Sequence, residues 1–364
     1  MCEIKYFDII YIGVGISTVT HYLKHKESFK NKKICFIEKE KRINQNKTIA
    51  GFTKEIDLPI LKKFNLFECR FEGDSKVYKT NTPYYVLDLD RIFNQFFEAS
   101  KEHDFLFNTH IGEISKDPSL FIISTPQGQL QADKIFDARP PRISNKCFLK
   151  QHFLGWYVNF ESDHHLNAPI LMDIDEKQSN FCFTYVLPMD KKTVLIEITY
   201  YSENVFSPEY YERYIHDYIS KNFPQNGFVV QKKETGSIPL INIKPIIDIR
   251  GYECLGIRGG HLRASTGYSV ISSTKEIRPT RLMRLLDSYL LKVLWRSPKL
   301  GNFIFIHFLK NINGSTMANF MSEKPGILNL LNAAKAMPLS VFLSHLIKSK
   351  NGLITTTTIK GFND

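Results

Sequence analysis

Apolar and polar positions alternate in a way that divides the chain into distinct regions. Residues 6–12 form a short apolar run that predicts a buried strand, and the apolar positions of residues 16–23 recur at the spacing of one helix face. A second apolar run at 34–37 predicts another strand, which ends in the acidic residue Glu38. This order of strand, helix and strand is typical of a parallel α/β sheet.

The next part of the chain has weaker patterns. Residues 39–87 give no clear assignment, except that the end of this segment predicts a connection into a strand. A helix is predicted to start near Asp90, whose carboxylate could cap it. Short strands are predicted at 105–113, 119–124 and 129–136.

From about residue 148 the pattern changes to longer alternating runs, separated by polar or turn-rich segments. Alternation at every second position predicts an antiparallel sheet. The runs lie at 153–160, 169–174, 181–188 and 193–201. A helix is predicted at 208–223, and a strand at 229–239 leads back toward the first region, so we expect the second domain to be inserted in the first.

The last region is predicted to be mainly helical. A short strand at 254–257 precedes a glycine-rich segment in which Ser265 and Thr266 could cap a helix. Beyond it, Pro279 precedes a leucine-rich stripe at helical spacing, and Pro298 ends that helix. The predicted domains are 1–147 and 241–278 for the first unit, 148–240 for the inserted unit and 279–364 for a C-terminal helical region.

Charge narrows the possible partners. The 364 residues contain 48 Lys+Arg against 37 Asp+Glu, a formal net charge of +11, which favours anionic partners. No Lys/Arg-rich block is interleaved with aromatic residues, so we expect no nucleic acid, and anionic lipid is the better candidate. No apolar stretch reaches the roughly 18 residues of a membrane span.

The cysteines and the first residues indicate a compartment. Six cysteines are scattered without a CxxC pair or a histidine cluster, which predicts no metal site and no disulfide framework. A strand that starts near residue 6 leaves no room for a signal peptide. We therefore expect a reducing, cytoplasmic location, with peripheral membrane contact left open.

A glycine-rich turn follows the first predicted strand. Gly13 and Gly15 precede a predicted helix, the setting in which glycines let the backbone approach a pyrophosphate. Thr18 replaces the usual third glycine and could hold the helix slightly farther from the strand. Glu38 would accept hydrogen bonds from ribose hydroxyls and would disfavour the 2′-phosphate of NADP. An ordinary turn is the alternative, but the strand before it and Glu38 favour dinucleotide binding.

Two further segments are candidates for cofactor contacts. Arg91 lies at the start of a predicted helix, where a surface salt bridge is the alternative role. Glycine-rich backbone ahead of a helix can present N–H groups to a cofactor pyrophosphate or ring oxygen. The candidates there are Gly259, Gly260, Thr266 and Gly267. A tight turn would explain the same residues.

The candidate for chemistry is Glu197, which interrupts an otherwise apolar run. In a strand it shares one face with Leu195, Thr199 and Tyr201. Apolar surroundings destabilise the ionised carboxylate and raise its pKa, so the group could remain a proton donor near neutrality and protonate an alkene. A solvent-facing glutamate on an antiparallel strand is the alternative.

Two compositional features suit a lipophilic substrate. Aromatic residues make up 13% of the chain, and rings in the second domain could line a pocket for a polyene or a cation, although most must be ordinary core. The predicted helix from Pro279 carries basic residues beside an apolar stripe. Such a helix can lie on an anionic bilayer, or it can be a core helix with a solvated face.

Taken together, these segments resemble the bacterial lycopene cyclase family over nearly the whole chain. The motifs occur in the family's order. They are YIGVGIS, LDLDRIF, FDARPP, QHFLGWYV, PILMDID, FTYVLPMDKKTVLIEITYYS, GSIPL, GIRGGHLRASTGYSV and FLKNINGSTMANFMSEKPGILNLL. The pair FTYVLP…LIEITYYS and GIRGGHLRASTGYS discriminates best, because generic Rossmann flavoproteins would not be expected to carry both.

The resemblance implies an α/β fold, with a Rossmann-type FAD-binding domain, an inserted α+β substrate domain built on an antiparallel sheet, and a C-terminal helical region. It implies FAD in its reduced form, NAD(P)H as reductant, and a cyclisation of lycopene end groups to β-rings without net redox change. Glu197 falls where the family places its essential acid and would protonate a terminal double bond. The flavin contacts that carry over are Gly13, Gly15, Glu38, Arg91, Arg139, Gly260 and Gly267.

Two other functions remain open at this point. One is an FAD/NAD(P)H-dependent reductase or monooxygenase that acts on another isoprenoid or aromatic compound. It would consume NAD(P)H with each product, whereas a cyclase needs only catalytic reductant. The other is a flavin-binding protein without catalysis, in which Glu197→Gln would change nothing measurable.

Overall fold

The computed structural model describes residues 4–43, 45, 47–71, 73–141, 149–224, 226–243 and 249–322. The predicted domain boundary at 147/148 and residues 323–364 of the predicted C-terminal region lie outside the described residues. The division into domains therefore stays a prediction.

The described residues form strands and helices that alternate along the chain. The strands are β1 (Lys5–Ile12), β2 (Ile34–Ile37), β3 (Ala50–Phe52), β4 (Ile60–Phe71), β5 (Asp74–Leu87), β6 (Asp104–Leu106), β7 (Ile114–Lys116), β8 (Phe121–Thr125), β9 (Gly128–Asp137), β10 (Lys150–Phe160), β11 (Ile170–Ile174), β12 (Phe181–Pro188), β13 (Thr193–Ser202), β14 (Phe228–Pro239) and β15 (Tyr252–Cys254). The α-helices are α1 (Ile16–His25), α2 (Leu89–Ala99), α3 (Pro208–Asn222), α4 (Val270–Thr274), α5 (Arg281–Arg296), α6 (Pro298–Asn311) and α7 (Gly314–Met321).

The first sheet has the strand order β6-β2-β1-β9-β8-β7, with β15 also paired to β9. Strand β1 is parallel to both β2 and β9, which confirms the predicted parallel α/β unit. Helices α1 and α2 cover one face of this sheet because apolar residues recur along one side of each. Ile92, Phe93 and Phe96 of α2 pack into the same core as Val19 and Tyr22 of α1.

The second sheet has the order β14-β10-β13-β12-β11-β4-β5-β3. Its strands β14, β10, β13, β12 and β11 pair antiparallel in the predicted region, which confirms the predicted antiparallel sheet. Strands β3, β4 and β5 come from 50–87, the segment without a clear sequence pattern, and β4 joins the sheet parallel to β11. The sheet therefore extends beyond residues 148–240.

The two faces of the second sheet have different neighbours. Helix α3 covers one face, where Tyr211, Ile215 and Ile219 pack against Ile196 and Ile198 of β13. On the other face, helices α5, α6 and α7 contribute to a core with β4, β5, β11 and β12. Residues of β13 that alternate with Ile196 and Ile198 thus face the interior between the sheets.

Two predicted helix caps are wrong, and one predicted helix end is confirmed. The cap of α2 is Asp88, whose Oδ1 accepts from the Arg91 N–H at 3.0 Å, and Asp90 lies inside the first turn. Ser265 and Thr266 do not cap a helix, because α4 begins after Ser269. The predicted end of the leucine-rich helix at Pro298 is confirmed, because α5 ends at Arg296 and Pro298 begins the next helix, α6.

Two predicted strands are also shorter or displaced. The strand predicted at 105–113 is Asp104–Leu106, and the next strand begins only at Ile114. The strand predicted at 254–257 ends at Cys254, where a tight turn takes over. Apolar residues in these segments pack against a sheet without themselves joining it, which pattern alone does not separate from a strand.

Candidate active site

A cavity of about 1080 Å³ lies between the two sheets. Residues from the glycine-rich turn, the end of β9 and the loop before α4 form one side, and β12, β13 and β14 form another. Helices α5 and α6 close it with Leu290, Leu294 and Phe305. The cavity therefore joins the predicted cofactor segments to the predicted acid.

The glycine-rich turn is built as predicted. Gly13 has a φ of +83°, which favours glycine, and a Cβ there would lie 3.4 Å from the backbone nitrogen of Arg139. Gly15 is the N-cap of α1, has no side chain to cap the helix, and faces open space in the cavity. Thr18 is fully buried and donates its hydroxyl to the Gly13 carbonyl at 2.6 Å, so it fixes the turn.

Glu38 lies at the end of β2, beside this turn. Its Oε2 accepts from the Val14 N–H at 2.8 Å, and its Oε1 accepts from the Glu40 N–H at 3.2 Å. The carboxylate is thus held against the turn by backbone donors.

A buried ion cluster stands at the end of β9. Asp137 is fully buried and accepts from Arg139 Nη2 at 2.7 Å and from the Tyr252 hydroxyl at 2.5 Å. It also forms an ion pair with Arg258, whose Nε lies 3.0 Å from Asp137 Oδ2. Burial alone would raise the pKa of Asp137, but hydrogen bonding and charge from Arg139, together with Arg258, lower it. Arg139 and Arg258 also line the cavity, so this cluster holds two cations at its edge.

The loop before α4 brings two of its predicted residues to the cavity. Thr266 and Gly267 line it, and Gly267 has a φ of +73°. Gly259 and Gly260 lie one turn earlier and are not among the residues that line the cavity. Their N–H groups donate to backbone carbonyls, so these two glycines stabilise the turn of the loop. Arg91 is exposed on α2, and its side chain does not reach the cavity wall.

Glu197 lines the cavity from the middle of β13. The face of Leu195, Glu197, Thr199 and Tyr201 points inward, as the alternation predicts, and not into open solvent. Thr199 Oγ1 donates to Glu197 Oε1 at 3.0 Å. Burial, and then the nearby charge of Glu234, raise the pKa of Glu197 to about 8. A carboxyl group in this state can donate a proton at neutral pH.

Glu234 is a functional candidate that the sequence analysis missed. It is 5% exposed, lines the same cavity, and its Oε2 accepts from the Thr48 N–H at 2.8 Å and from Thr48 Oγ1 at 3.0 Å. Thr48 also shares a short hydrogen bond with the Tyr157 hydroxyl. In the sequence, Glu234 follows two lysines of β14 and resembles a solvent-exposed residue. In the structure it is buried, whereas its neighbours along β14 are exposed or half-buried.

Three tyrosines lie near Glu197, of which Tyr84 is buried and Tyr185 and Tyr268 are partly buried. Tyr185 is directly opposite Glu197 across β12 and β13, and the Tyr84 hydroxyl donates to the Tyr185 hydroxyl at 3.2 Å. Tyr268 interacts with Tyr84 and completes the group. Burial raises the pKa of all three phenols, so they are neutral. Their rings and hydroxyl groups are available to a bound ligand.

The predicted absence of a metal site stays a prediction. Among the described residues, His21, His25 and Glu276 place possible ligand atoms within 4.8 Å of one another. The Glu276 carboxylate already pairs with Lys24 at 3.0 Å and with His25 at 2.7 Å. Because the ammonium group of Lys24 contacts the same Glu276 oxygen as His25, this cluster is explained as an ion-pair network.

Comparison with known proteins identifies similar sequences. The family described as lycopene cyclase protein matches residues 8–296. A lycopene beta-cyclase from Pantoea ananas is 23% identical over 283 residues, which cover 73% of this chain and 71% of that protein. A lycopene beta-cyclase from Pseudescherichia vulneris is 28% identical over 196 residues, which cover 51% of this chain and 49% of that protein.

Solved structures share the fold at low identity. A geranylgeranyl bacteriochlorophyll reductase-like protein from Thermoplasma acidophilum aligns with a TM-score of 0.58 and 13% identity over 95% of this chain and 100% of that chain. A flavoprotein/dehydrogenase from Cytophaga hutchinsonii aligns with a TM-score of 0.56 and 11% identity over the same shares. These similarities confirm the predicted α/β fold, which this chain shares with the reductase-like protein and the flavoprotein/dehydrogenase.

Proposed function

Because the chain belongs to the lycopene cyclase family, we propose that it closes a ring at the end of a linear carotenoid. The substrate is lycopene or a close relative, the product carries a β-ring, and the reaction is an isomerisation without net redox change. The observation that carries this proposal is the carboxyl group of Glu197, which faces the cavity in a state able to donate a proton.

Glu197 performs both proton transfers. Its carboxyl group gives a proton to the terminal double bond, which leaves a tertiary cation, and the next double bond attacks that cation to form the ring. The Glu197 carboxylate then removes a ring proton, so the atoms of the substrate are conserved and the acid is regenerated. The neutral phenol rings of Tyr84, Tyr185 and Tyr268 present π-electrons to the cation.

FAD fits the glycine-rich turn and the cavity beside it. The N-terminus of α1 has no side-chain cap and no acid in its first turn, and open space lies at Gly15. Those features suit a pyrophosphate, with Glu38 at the ribose and Arg139 adding a positive charge. When reduced, FAD supplies an electron-rich ring that stabilises positive charge, and NAD(P)H serves only to reduce it.

Peripheral contact with an anionic membrane would supply a lipophilic substrate. None of the helices in the described part of the chain is long and apolar enough to cross a membrane. On the outer side of α5 and α6, Leu282 is 47%, Leu285 43% and Phe303 54% exposed, and Arg281 and Lys299 are exposed nearby. Cosedimentation with vesicles that contain phosphatidylglycerol should exceed that with neutral vesicles, and Leu282→Ser combined with Leu285→Ser should reduce it.

Expression in a bacterial host that accumulates lycopene tests the proposed function. Chromatography of the pigments should show a β-ring carotenoid with the wild-type chain. Glu197→Gln should lower its formation by roughly a hundredfold or more, the contribution of a general acid. Glu253→Gln, which changes an exposed carboxylate on β15, is the matched control and should retain activity. Unchanged lycopene with flavin-loaded wild-type protein would contradict the proposal, and NAD(P)H consumption equal to product would indicate an oxidoreductase.

A further inference from the structure

Two glutamates share one place on the second sheet. Glu197 of β13 and Glu234 of β14 both pair in register with Gly155, which lies between them on β10. A Cβ built on Gly155 would lie 3.2 Å from Glu197 Cβ and 3.3 Å from Glu234 Cγ. The missing side chain at Gly155 thus leaves the two acidic side chains as neighbours on the cavity wall.

The hydrogen bonding of the two carboxyl groups is unequal. Glu234 accepts two hydrogen bonds from Thr48, and Lys47 and Lys232 add positive charge near it. Among the described residues, the hydroxyl of Thr199 is the donor to Glu197. Donors and nearby cations favour the charged form of a carboxyl group, so the negative charge belongs on Glu234.

We propose that Glu197 and Glu234 form an acid pair that shares one proton, with the proton on Glu197 and the charge on Glu234. Glu234 is then a positioning residue for the ring-closing reaction, and this role rests on the proposed function. Two neighbouring carboxyl groups that burial has desolvated cannot both ionise at low cost, because their like charges repel. The charge on Glu234 therefore keeps the carboxyl group of Glu197 protonated.

The other titratable groups around Glu197 do not supply this effect. Tyr185 comes from β12, Tyr84 from β5, Tyr157 from β10 and Tyr268 from the loop before α4, and burial raises the pKa of each. All four phenols are neutral at physiological pH. The charge that acts on Glu197 thus comes from Glu234, whose own hydrogen bonds to Thr48 oppose the rise that burial causes in its pKa.

The test follows the titration of Glu197 directly. FAD-loaded protein with ¹³C-labelled glutamate carboxyl carbons is titrated by NMR, and the Glu197 resonance is assigned by its loss in Glu197→Gln. In Glu234→Gln the amide keeps the shape and can still accept from Thr48, but the charge is gone. The midpoint of the Glu197 titration should fall by roughly 1–2 pH units. Glu234→Asp should retain most of the wild-type midpoint, and Glu253→Gln should leave it unchanged.

Pigment formation is measured on the same variants across pH. The loss of activity at high pH should move to lower pH in Glu234→Gln by the same interval, so that turnover is nearly normal at pH 6 and about tenfold lower at pH 8. An unchanged Glu197 midpoint in folded Glu234→Gln would overturn the pair. If the midpoint shifts in Glu234→Gln but the wild-type chain forms no ring, the positioning role is overturned together with the proposed function, and the pairing of the two carboxyl groups stays supported.

Discussion

Asp137 and Glu197 are both carboxyl groups inside the protein, one in each sheet, and their surroundings are opposite. Asp137 ends a parallel strand, and two guanidinium groups and a phenol hydroxyl hold it as a charged group. Glu197 lies in the middle of an antiparallel strand, with a threonine hydroxyl as donor and a second carboxylate nearby. The pKa of Asp137 is lowered, and that of Glu197 is raised.

The difference separates two tasks of one cavity. The first sheet presents cations and backbone N–H groups, which suit an anionic cofactor, and the carboxylate of Asp137 is paired with those cations. The second sheet presents phenols and an acid whose pKa is raised, which suit the apolar, proton-accepting substrate of the proposed reaction. The charged form of Asp137 stabilises the fold at the wall formed by the first sheet, whereas the charged form of Glu197 would destabilise it at the wall formed by the second sheet. Substitutions at the two walls should therefore change stability in opposite directions.

Replacing Asp137 by Asn should have the largest effect. The substitution leaves Arg139 and Arg258 without their carboxylate, so the free energy of unfolding at pH 7 should fall by about 3 kcal/mol. Because the folded pKa of Asp137 lies below its ordinary value of 3.8, its stabilisation is complete above that value. It is lost as the pH falls through the folded pKa.

Urea denaturation at pH 7 and at pH 3 measures this difference. Asp133→Asn on the same strand, at an exposed position, is the control and should change the free energy of unfolding by no more than about 0.5 kcal/mol. Equal stability of Asp137→Asn and the wild type at pH 7 would contradict the structural role of the cluster.

Replacing Glu197 by Gln should stabilise the fold while it removes activity. The unfolded chain loses the proton of Glu197 near its ordinary pKa of 4.5, and the folded chain retains it to about pH 8. Wild-type stability from this group therefore falls as the pH rises between those values. Glu197→Gln avoids the loss and should be more stable by about 2 kcal/mol at pH 7.

Urea denaturation of the cofactor-free proteins at pH 5 and at pH 8 checks the sign. The advantage of Glu197→Gln should be small at pH 5 and should grow toward pH 8. An advantage that stays constant across this range would show that the effect does not come from the titration of Glu197.

Sequence alone predicted those parts of the two walls in which the residues lie close together along the chain. The turn from Gly13 to Thr18 and the acid at Glu38 lie within one βα unit, where spacing along the chain fixes their relation in space. Alternation along β13 likewise placed Glu197 on the face of Thr199, which is the cavity face.

The remaining parts depend on strand register, which pattern does not supply. Glu234 meets Glu197 because both pair with Gly155, and the lysines beside Glu234 on β14 give no local sign that it is buried. Arg91 shares its helix with buried residues but projects to the other side, where solvent surrounds it. A register shift of one residue would exchange the faces, and local sequence carries little information about it.

Substitutions of two glycines should have the smallest effects, and each should affect one wall of the cavity only. In Gly155→Ala the new Cβ would lie 2.9 Å from Leu195 Cδ1 and would press on Glu197 and Glu234, so turnover should fall about tenfold while FAD affinity stays unchanged. In Gly15→Ala the Cβ meets no atom within 4 Å, so the fold is kept, but it stands where a pyrophosphate approaches, and the Kd for FAD should rise about tenfold. Flavin fluorescence titration and pigment formation measure the two effects. If both variants lost FAD affinity equally, the two walls would not be separable, and the proton-donating wall would have to be regarded as part of the cofactor site.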